Sequence, residues 1–376
     1  MDKINMAIYP YNPEVDPILD YIHFLIPKYK IKSLISPKGW GYENKMIDLK
    51  TYDTTETIIV RSSLIEIADD VNCIFIPEFY SIDKIEFEII DNINIILPRI
   101  NKIICVANLK NKSLKKLQKI CESTNGKCSL EIKNEIKMKT ENDYDLKIYE
   151  TDEYLNDNIP VPIIVIAGIW EDLDKFYTSL TIREMFLNNG YKVSQVGSRN
   201  YCEIMGFHSF PGFMLNPEID EVKKVILFNR YIKKIYESEN PDIIIITIPG
   251  AVQLYNSYNI NKFGILHYLV CNAIIVDFLI MCTFFEDNKI ELFEMISKSC
   301  FYKFGCSVDC FHMSNRMVHF DSTDESDFLK YLILPRKKVD ETLINNYEQF
   351  IIPIINIFDK SNIIKLYDNI INKFSN

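Results

Sequence analysis

Residues 166–186 read IAGIWEDLDKFYTSLTIREMF, between an apolar run and a helical pattern. A nucleotide-binding chain carries its phosphate loop at such a junction. That loop has the form GxxxxGK[ST]: glycines let backbone N–H groups approach the phosphates, the lysine meets the terminal phosphate, and the hydroxyl holds magnesium. Gly168 fits, and Lys175 stands one residue later than the pattern asks. Asp174 replaces the second glycine and Phe176 the hydroxyl residue. Glu171, Asp172 and Asp174 add negative charge where a triphosphate would sit, each costing on the order of 1 kcal/mol near a surface. The same acids suit another job, since Asp172 or Asp174 would cap the helix N-terminus and complement its dipole. Helix capping, triphosphate binding and a metal held by the acids are the three readings, and electrostatics favours the first. A magnesium-binding Asp is expected at the end of the strand in PDIIIITIPG, and Thr247 stands there instead. ATP–Mg is therefore disfavoured, while Gly168, Asp174, Lys175 and Thr178 remain the candidate ligand-binding residues of this loop.

A second constellation follows Val196. Ser198, Arg199, Asn200, Tyr201, Cys202, Glu203 and His208 lie within eleven residues, next to a strand's carboxyl end, where α/β sheets bind ligands. Arg199 is the residue of that loop able to clamp a carboxylate or phosphate. The segment reads either as a loop pinned by its aromatic residues or as a pocket shared with Gly168–Lys175. In the second reading Lys175 and Arg199 receive an acidic peptide segment, and Ser198, Arg199, Asn200, Tyr201 and His208 join the ligand-binding set. Arg199→Ala would then weaken binding and leave the fold intact. No catalytic residue can be assigned: Cys202 and His208 are a nucleophile–base pair on paper, with nothing to orient them.

Cys300, Cys306, Cys310 and His312 have the spacing C-x5-C-x3-C-x-H, open to zinc or an iron–sulfur cluster. No C-x2-C pair occurs, and Cys310 and His312 fall on a strand pattern while Cys300 falls on a helix. Buried thiols are the favoured reading, and no metal ligand is assigned. SPKGWG (Ser36–Gly41) is a glycine-rich turn with a lysine, read as a tight turn covered by Trp40 or as an anion cradle. His23 and His267 sit in apolar patterns and read as core or boundary histidines.

The elements that must position these residues alternate strand and helix in both halves. Met6–Tyr9, Lys32–Ser36, Ile58–Val60, Cys73–Pro77 and Ile103–Ala107 read as strands, with a helix predicted over Pro17–Ile26. Leu114, Leu117, Ile120 and Cys121 share one face of a helix over Ser113–Cys121. Val161–Ala167, Lys192–Val196, Pro241–Gly250, Ala273–Cys282, Ser307–Met313 and Tyr331–Leu334 are strands of the second half. Asp174–Asn189, Pro217–Glu239 and Ile290–Phe304 are its helices, with a C-terminal helix over Leu343–Phe374 broken near Pro353. The charged stretch between Ser129 and Ile159 interrupts the pattern. The expected fold is thus α/β, two Rossmann-like or P-loop-like parallel-sheet domains with a C-terminal helix: residues 1–156 and residues 157–376.

The chain has 376 residues, 48% apolar and 25% charged, with a net charge of −10. That charge argues against a broad nucleic-acid surface. No run of 18 apolar residues and no signal-peptide core is seen, so cytoplasmic residence, no membrane contact and reduced cysteines are expected.

SPKGWG, the DKF after the Gly168 loop, REMFLNNGYKVSQVGSRNYCEIMGFHSFP (Arg183–Pro211) and DIIIITIPG together resemble the peptide maturation system proteins of clostridial ribosomal-peptide clusters. The resemblance covers nearly the whole chain, and the block Tyr191–Pro211 is its most specific part. It implies a role in making a bacteriocin-like peptide, with the precursor peptide and a radical-SAM maturation enzyme as partners. The second half also resembles, more remotely, the dimeric P-loop class that includes dethiobiotin and cobyrinate amidating enzymes, which implies a homodimer as one assembly. Three functions follow as expectations. The first is an accessory, pseudo-nucleotide-binding scaffold. The second is an ATP-dependent ligase or amidating enzyme using Gly168–Lys175. The third is a metal-dependent redox partner using Cys300, Cys306 and Cys310.

Overall fold

Short, continuously apolar segments such as IIVIAG and IIIIT bury both faces, which suits the interior of a parallel sheet covered by helices on each side. All six residues of Ile163–Gly168 and all five of Ile243–Thr247 are buried. Each isoleucine so placed contributes roughly 1.5–3 kcal/mol of hydrophobic stabilisation. The structure is a computed structural model that describes residues 4–50, 54–78, 85–132, 158–256, 260–287, 289–319, 329–348 and 350–375. The chain divides into two compact units, Met1–Lys139 with Arg199–Ser209, and Thr140–Ser198 with Phe210–Asn376. The division expected near residue 157 falls outside the described residues. The units differ from the sequence reading in giving Arg199–Ser209 to the first.

The first unit contains β1 (Ile4–Ile8), α1 (Asp16–Asp20), β2 (Tyr29–Leu34), β3 (Met46–Lys50), β4 (Thr55–Ile59), β5 (Cys73–Ile76), α2 (Glu86–Ile96), β6 (Lys102–Cys105), α3 (Asn111–Glu122) and β7 (Ser129–Ile132). Its parallel sheet has the order β2-β1-β5-β6-β7. Strands β3 and β4 form a separate antiparallel hairpin, so the segment around Ile58 is not part of the parallel sheet. Leu117 and Cys121 of α3 are buried, and Leu114 and Ile120 pack against the same core, as their spacing predicts. The helix expected over Pro17–Ile26 is only the five-residue α1 followed by a 3-10 turn over Ile22–Phe24. Tyr21, at φ −111° and ψ 39°, leaves helical geometry between them.

The second unit contains β8 (Ile163–Gly168), α4 (Lys175–Asn188) and β9 (Val193–Gly197). Then comes β10 (His208–Ser209), which belongs to the first unit's segment. It continues with α5 (Glu221–Glu239), β11 (Ile243–Thr247), α6 (Ile265–Ala273), β12 (Phe278–Thr283), α7 (Ile290–Phe304), β13 (Cys310–Met313), β14 (Arg316–Val318), β15 (Tyr331–Ile333), α8 (Arg336–Thr342), β16 (Ile354–Ile355) and α9 (Lys360–Ser375). Its parallel strands run in the order β9-β11-β8-β12-β13-β16, with β14 and β15 as an antiparallel pair. Two expectations change here. Ala273 ends helix α6, and the strand begins only at Phe278, because a short buried apolar run reads alike as helix or strand. The C-terminal region is not one broken helix: after Pro353 the chain adds edge strand β16 before α9.

Asp16 yields a test of how the first unit stores charge. Its carboxylate accepts a hydrogen bond from the Tyr11 hydroxyl at 2.8 Å, yet burial raises its pKa to about 6, with Asp20 adding to the rise. A folded value above the unfolded one means stability falls as pH climbs from about 4 through about 6. Asp16→Asn should therefore stabilise the protein by about 1–2 kcal/mol at pH 7.5, discounted for partial exposure, and by almost nothing at pH 4. Urea unfolding of both proteins across that range checks it, and a pH-independent difference would refute it.

Candidate functional site

Two arrangements concentrate the polar side chains at strand carboxyl ends, one in each unit. In the second unit, β8 delivers the chain into Gly168–Lys175. The loop is held tightly: Ile169 N–H donates to Cys282 O at 2.9 Å, Val252 N–H to Gly168 O at 3.0 Å, and Gln253 N–H to Ile169 O at 3.3 Å. A Cβ on Gly168 would lie 2.8 Å from Trp170 O and 2.9 Å from Lys175 Cδ, so a glycine is required by space. Trp170 stacks on Phe284 at 4.8 Å and meets Tyr255 edge-on at 4.8 Å. The Tyr331 hydroxyl donates to Glu171 O at 2.8 Å.

Asp174 is the centre of this arrangement. It takes the left-handed conformation, φ 59°, at the position where the phosphate-loop pattern has its second glycine, and Asp172 does the same at φ 57°. Asp tolerates that region better than most residues. The expected cap is not made: Asp174 occupies the N-cap position of α4, but its side chain caps nothing. The left-handed backbone directs the carboxylate elsewhere. It accepts from the Ser314 hydroxyl, His312 Nε2 lies 3.5 Å from Oδ2, and Arg316 Nε lies 3.7 Å from Oδ1. His312 is buried, and its Nδ1 accepts the Ile357 N–H at 3.4 Å, which leaves the ring proton on Nε2, facing Asp174. Burial by itself would raise the Asp174 pKa; His312, Arg316 and Ser314 more than offset it and hold the carboxyl below its ordinary value.

The other loop candidates are also engaged. Lys175 is buried and its ammonium donates to Gly250 O, just beyond β11. Thr178 is buried, and its hydroxyl turns back to Asp174 O at 3.0 Å, with Cys282 Sγ at 3.6 Å. Thr247, in the place of the magnesium-binding acid, is fully buried at the end of β11.

In the first unit the order β2-β1-β5-β6-β7 is that of a doubly wound sheet, a fold in which ligands bind at the carboxyl ends of the two strands where the order reverses, here β1 and β5. Glu78 lies two residues beyond β5. Arg199, Asn200 and Tyr201, from far along the chain, are seated there. Asn200 N–H donates to Glu78 Oε2 at 3.2 Å, its side-chain amide to Val106 O at 3.3 Å, and Arg199 Nη1 lies 3.6 Å from Glu78 Oε1. Burial raises the Glu78 pKa despite the opposing Arg199 charge and Asn200 N–H. Tyr201 is buried with its ring edge to Phe75 at 6.4 Å. The segment is closed on itself further on, where Glu203 accepts the Ser209 N–H at 2.9 Å and the Ser209 hydroxyl at 2.7 Å. His208 is half-buried in β10, and Cys202 is buried, with its thiol pushed well above the ordinary value by burial. Ser198 is half-buried and belongs to the second unit with Gly168, Asp174, Lys175 and Thr178.

Cys310 is buried on β13 with its thiol pushed up by burial, Cys300 is buried on α7, and Cys306 approaches Cys271. Among the described residues no group of three or more His, Cys, Asp or Glu side chains is arranged to hold a metal. In the SPKGWG turn, Gly39 and Gly41 take positive φ, and the Gly39 N–H reaches Glu43 Oε1 at 3.3 Å, while Trp40 packs against the core. Sequence reasoning missed Ser314 and Arg316 as partners of Asp174, and Glu78 as the partner of Arg199. The polar run Ser314–Arg316 directly after an apolar strand was the available signal for the first pair.

No family model matches the sequence, and no curated protein matches it. The fold is similar to the crystal structure of a DUF1611 family protein from Anabaena variabilis ATCC 29413, with a TM-score of 0.61 and 10% identity. The match covers 98% of this chain and 100% of that one. The fold and site thus define a protein of two Rossmann-like α/β units whose second unit carries a strand–loop–helix centred on the Asp174 carboxylate. No helix among the described residues is long and apolar enough to cross a membrane.

Proposed function

We propose that this protein is an accessory factor in the maturation of a ribosomally synthesised, bacteriocin-like peptide. It acts as a pseudo-nucleotide-binding scaffold that docks the precursor peptide or its radical-SAM modifying enzyme in the cytoplasm. The observation that supports this reading most is the placement of Asp174. Its carboxylate lies where a phosphate loop needs a glycine, and Ser314, His312 and Arg316 all converge on it. A triphosphate at this loop would have to tolerate that charge and draw Lys175 away from Gly250 O. In the first unit, Arg199–Tyr201 likewise sits at the strand ends where a ligand would enter. Both positions are engaged by the chain's own side chains, which suits a recognition scaffold.

Calorimetry tests this. ATP–Mg is expected to bind with a dissociation constant weaker than about 1 mM, less than about 4 kcal/mol of binding, while the precursor peptide or the radical-SAM enzyme is retained in pull-down without nucleotide. The alternative is an ATP-dependent ligase or amidating enzyme. It draws on the left-handed residue ahead of Lys175 at the start of α4, which keeps the loop's shape. Micromolar ATP–Mg binding abolished by Lys175→Ala would establish that alternative and overturn the scaffold.

A further inference from the structure

Of the ten cysteines, eight are buried and two, Cys271 and Cys306, are partly exposed. Those two are neighbours, with their sulfurs 3.8 Å apart. Cys271 lies near the end of α6, and Cys306 follows Gly305, whose positive φ of 74° turns the chain out of α7. We propose that Cys271 and Cys306 form a reversible disulfide when the protein meets a two-electron oxidant such as hydrogen peroxide, tying α6 to the connection between α7 and β13.

The geometry asks little movement. A disulfide needs sulfurs about 2.05 Å apart, and rotation of the Cys271 side chain on α6 and of the Cys306 side chain in its connection supplies the remaining approach. The chemistry is asymmetric in the required way. The neighbouring Cys271 thiol lowers the Cys306 pKa, against burial and Asp309, with the Lys373 ammonium helping. Cys271 itself is held well above its ordinary value, first by its hydrogen bond with Cys306 and then by burial. Cys306 is therefore the attacking thiolate. It takes one oxygen from peroxide, giving a sulfenic acid and hydroxide. Cys271 then loses its proton to that hydroxide, and its sulfur attacks the sulfenic sulfur, expelling a second hydroxide that takes up a proton. Two thiols and one peroxide become one disulfide and two waters.

The remaining thiols are poor competitors. Burial pushes Cys73, Cys105, Cys282 and Cys300 up to about 12. Cys121 and Cys128 interact with each other, and burial raises both, Cys121 to about 12. His267 lies one turn before Cys271 on α6, and burial first, then the Lys175 charge, holds its pKa well below the ordinary value. The bond would therefore restrain the helix that carries this buried histidine.

The test treats the full-length protein with hydrogen peroxide, blocks free thiols, and maps peptides without reduction. The expected result is a mass loss of about 2 Da, one cross-linked peptide pair joining Cys271 to Cys306, and complete reversal by dithiothreitol. Cys271→Ser should leave a Cys306 sulfenic acid that dimedone traps, and Cys306→Ser should abolish both products. Unchanged mass, linkage through Cys121–Cys128, or a disulfide between chains would each overturn the assignment. The wild-type map decides the matter even if a variant fails to fold.

Discussion

Asp174→Ala is expected to lower the free energy of unfolding by about 2–3 kcal/mol, the upper part of the range for leaving buried hydrogen-bond donors without their acceptor. The side chain of Asp174 is 9% exposed and that of His312 is fully buried, so neither is compensated by water. Arg316, at 37% exposed, contributes less. Alanine also tolerates the left-handed backbone less well than aspartate, adding to the loss. Two further variants separate the causes. Asp174→Asn keeps the shape and tolerates the same backbone region, so its loss reports the charge. Asp174→Gly relieves the backbone and leaves His312 and Ser314 without their acceptor. Because the folded carboxyl titrates below its ordinary value of about 3.9, its contribution is present above that pH and disappears as pH falls through the folded value. The difference between wild type and Asp174→Asn should therefore shrink only below about pH 4. Chemical denaturation giving less than about 1 kcal/mol for all three variants at pH 7 would make Asp174 a bystander.

Arg199→Ala is expected to destabilise the first unit by about 2–3 kcal/mol, because it removes the cation opposite a buried carboxylate. The loss falls below the full buried-pair range because the Arg199 side chain is 29% exposed. Glu78 already has a raised pKa, first from burial. A raised folded value costs stability as pH climbs from about 4.3 toward that value, and loss of Arg199 raises it further. The Arg199→Ala penalty should then be larger at pH 8 than at pH 5, and Glu78→Gln in the same chain should recover part of it. Equal penalties at both pH values, with no recovery, would mean that the ion pair does not carry the effect. The sequence reading makes Arg199 a ligand clamp whose loss spares the fold, so unfolding and peptide-binding measurements on one variant separate the two roles.

Much of the architecture was legible because hydrophobic runs respond to one neighbour class at a time. The buried strands Ile163–Gly168 and Ile243–Thr247 and the face of α3 follow from spacing and apolar content alone. Boundaries were weaker where apolar runs are short, as at Ala273–Phe278, since periodicity cannot separate a buried helix end from a strand start.

The sequence by itself determined the α/β class, the strand–loop–helix around Gly168, and the replacement of the second glycine by an acid. These are local facts, set by side-chain type and short-range spacing. Only the tertiary structure decided what that acid does. The helix-capping expectation rests on proximity along the chain, but a left-handed residue points its carboxylate away from its own helix, toward Ser314 and His312, about 140 positions later. The same holds for Arg199, whose partner Glu78 lies 121 positions earlier. Parallel sheets bring distant strand ends to one edge, so the partners of a charged loop residue are fixed by strand order, which no local pattern in the chain encodes.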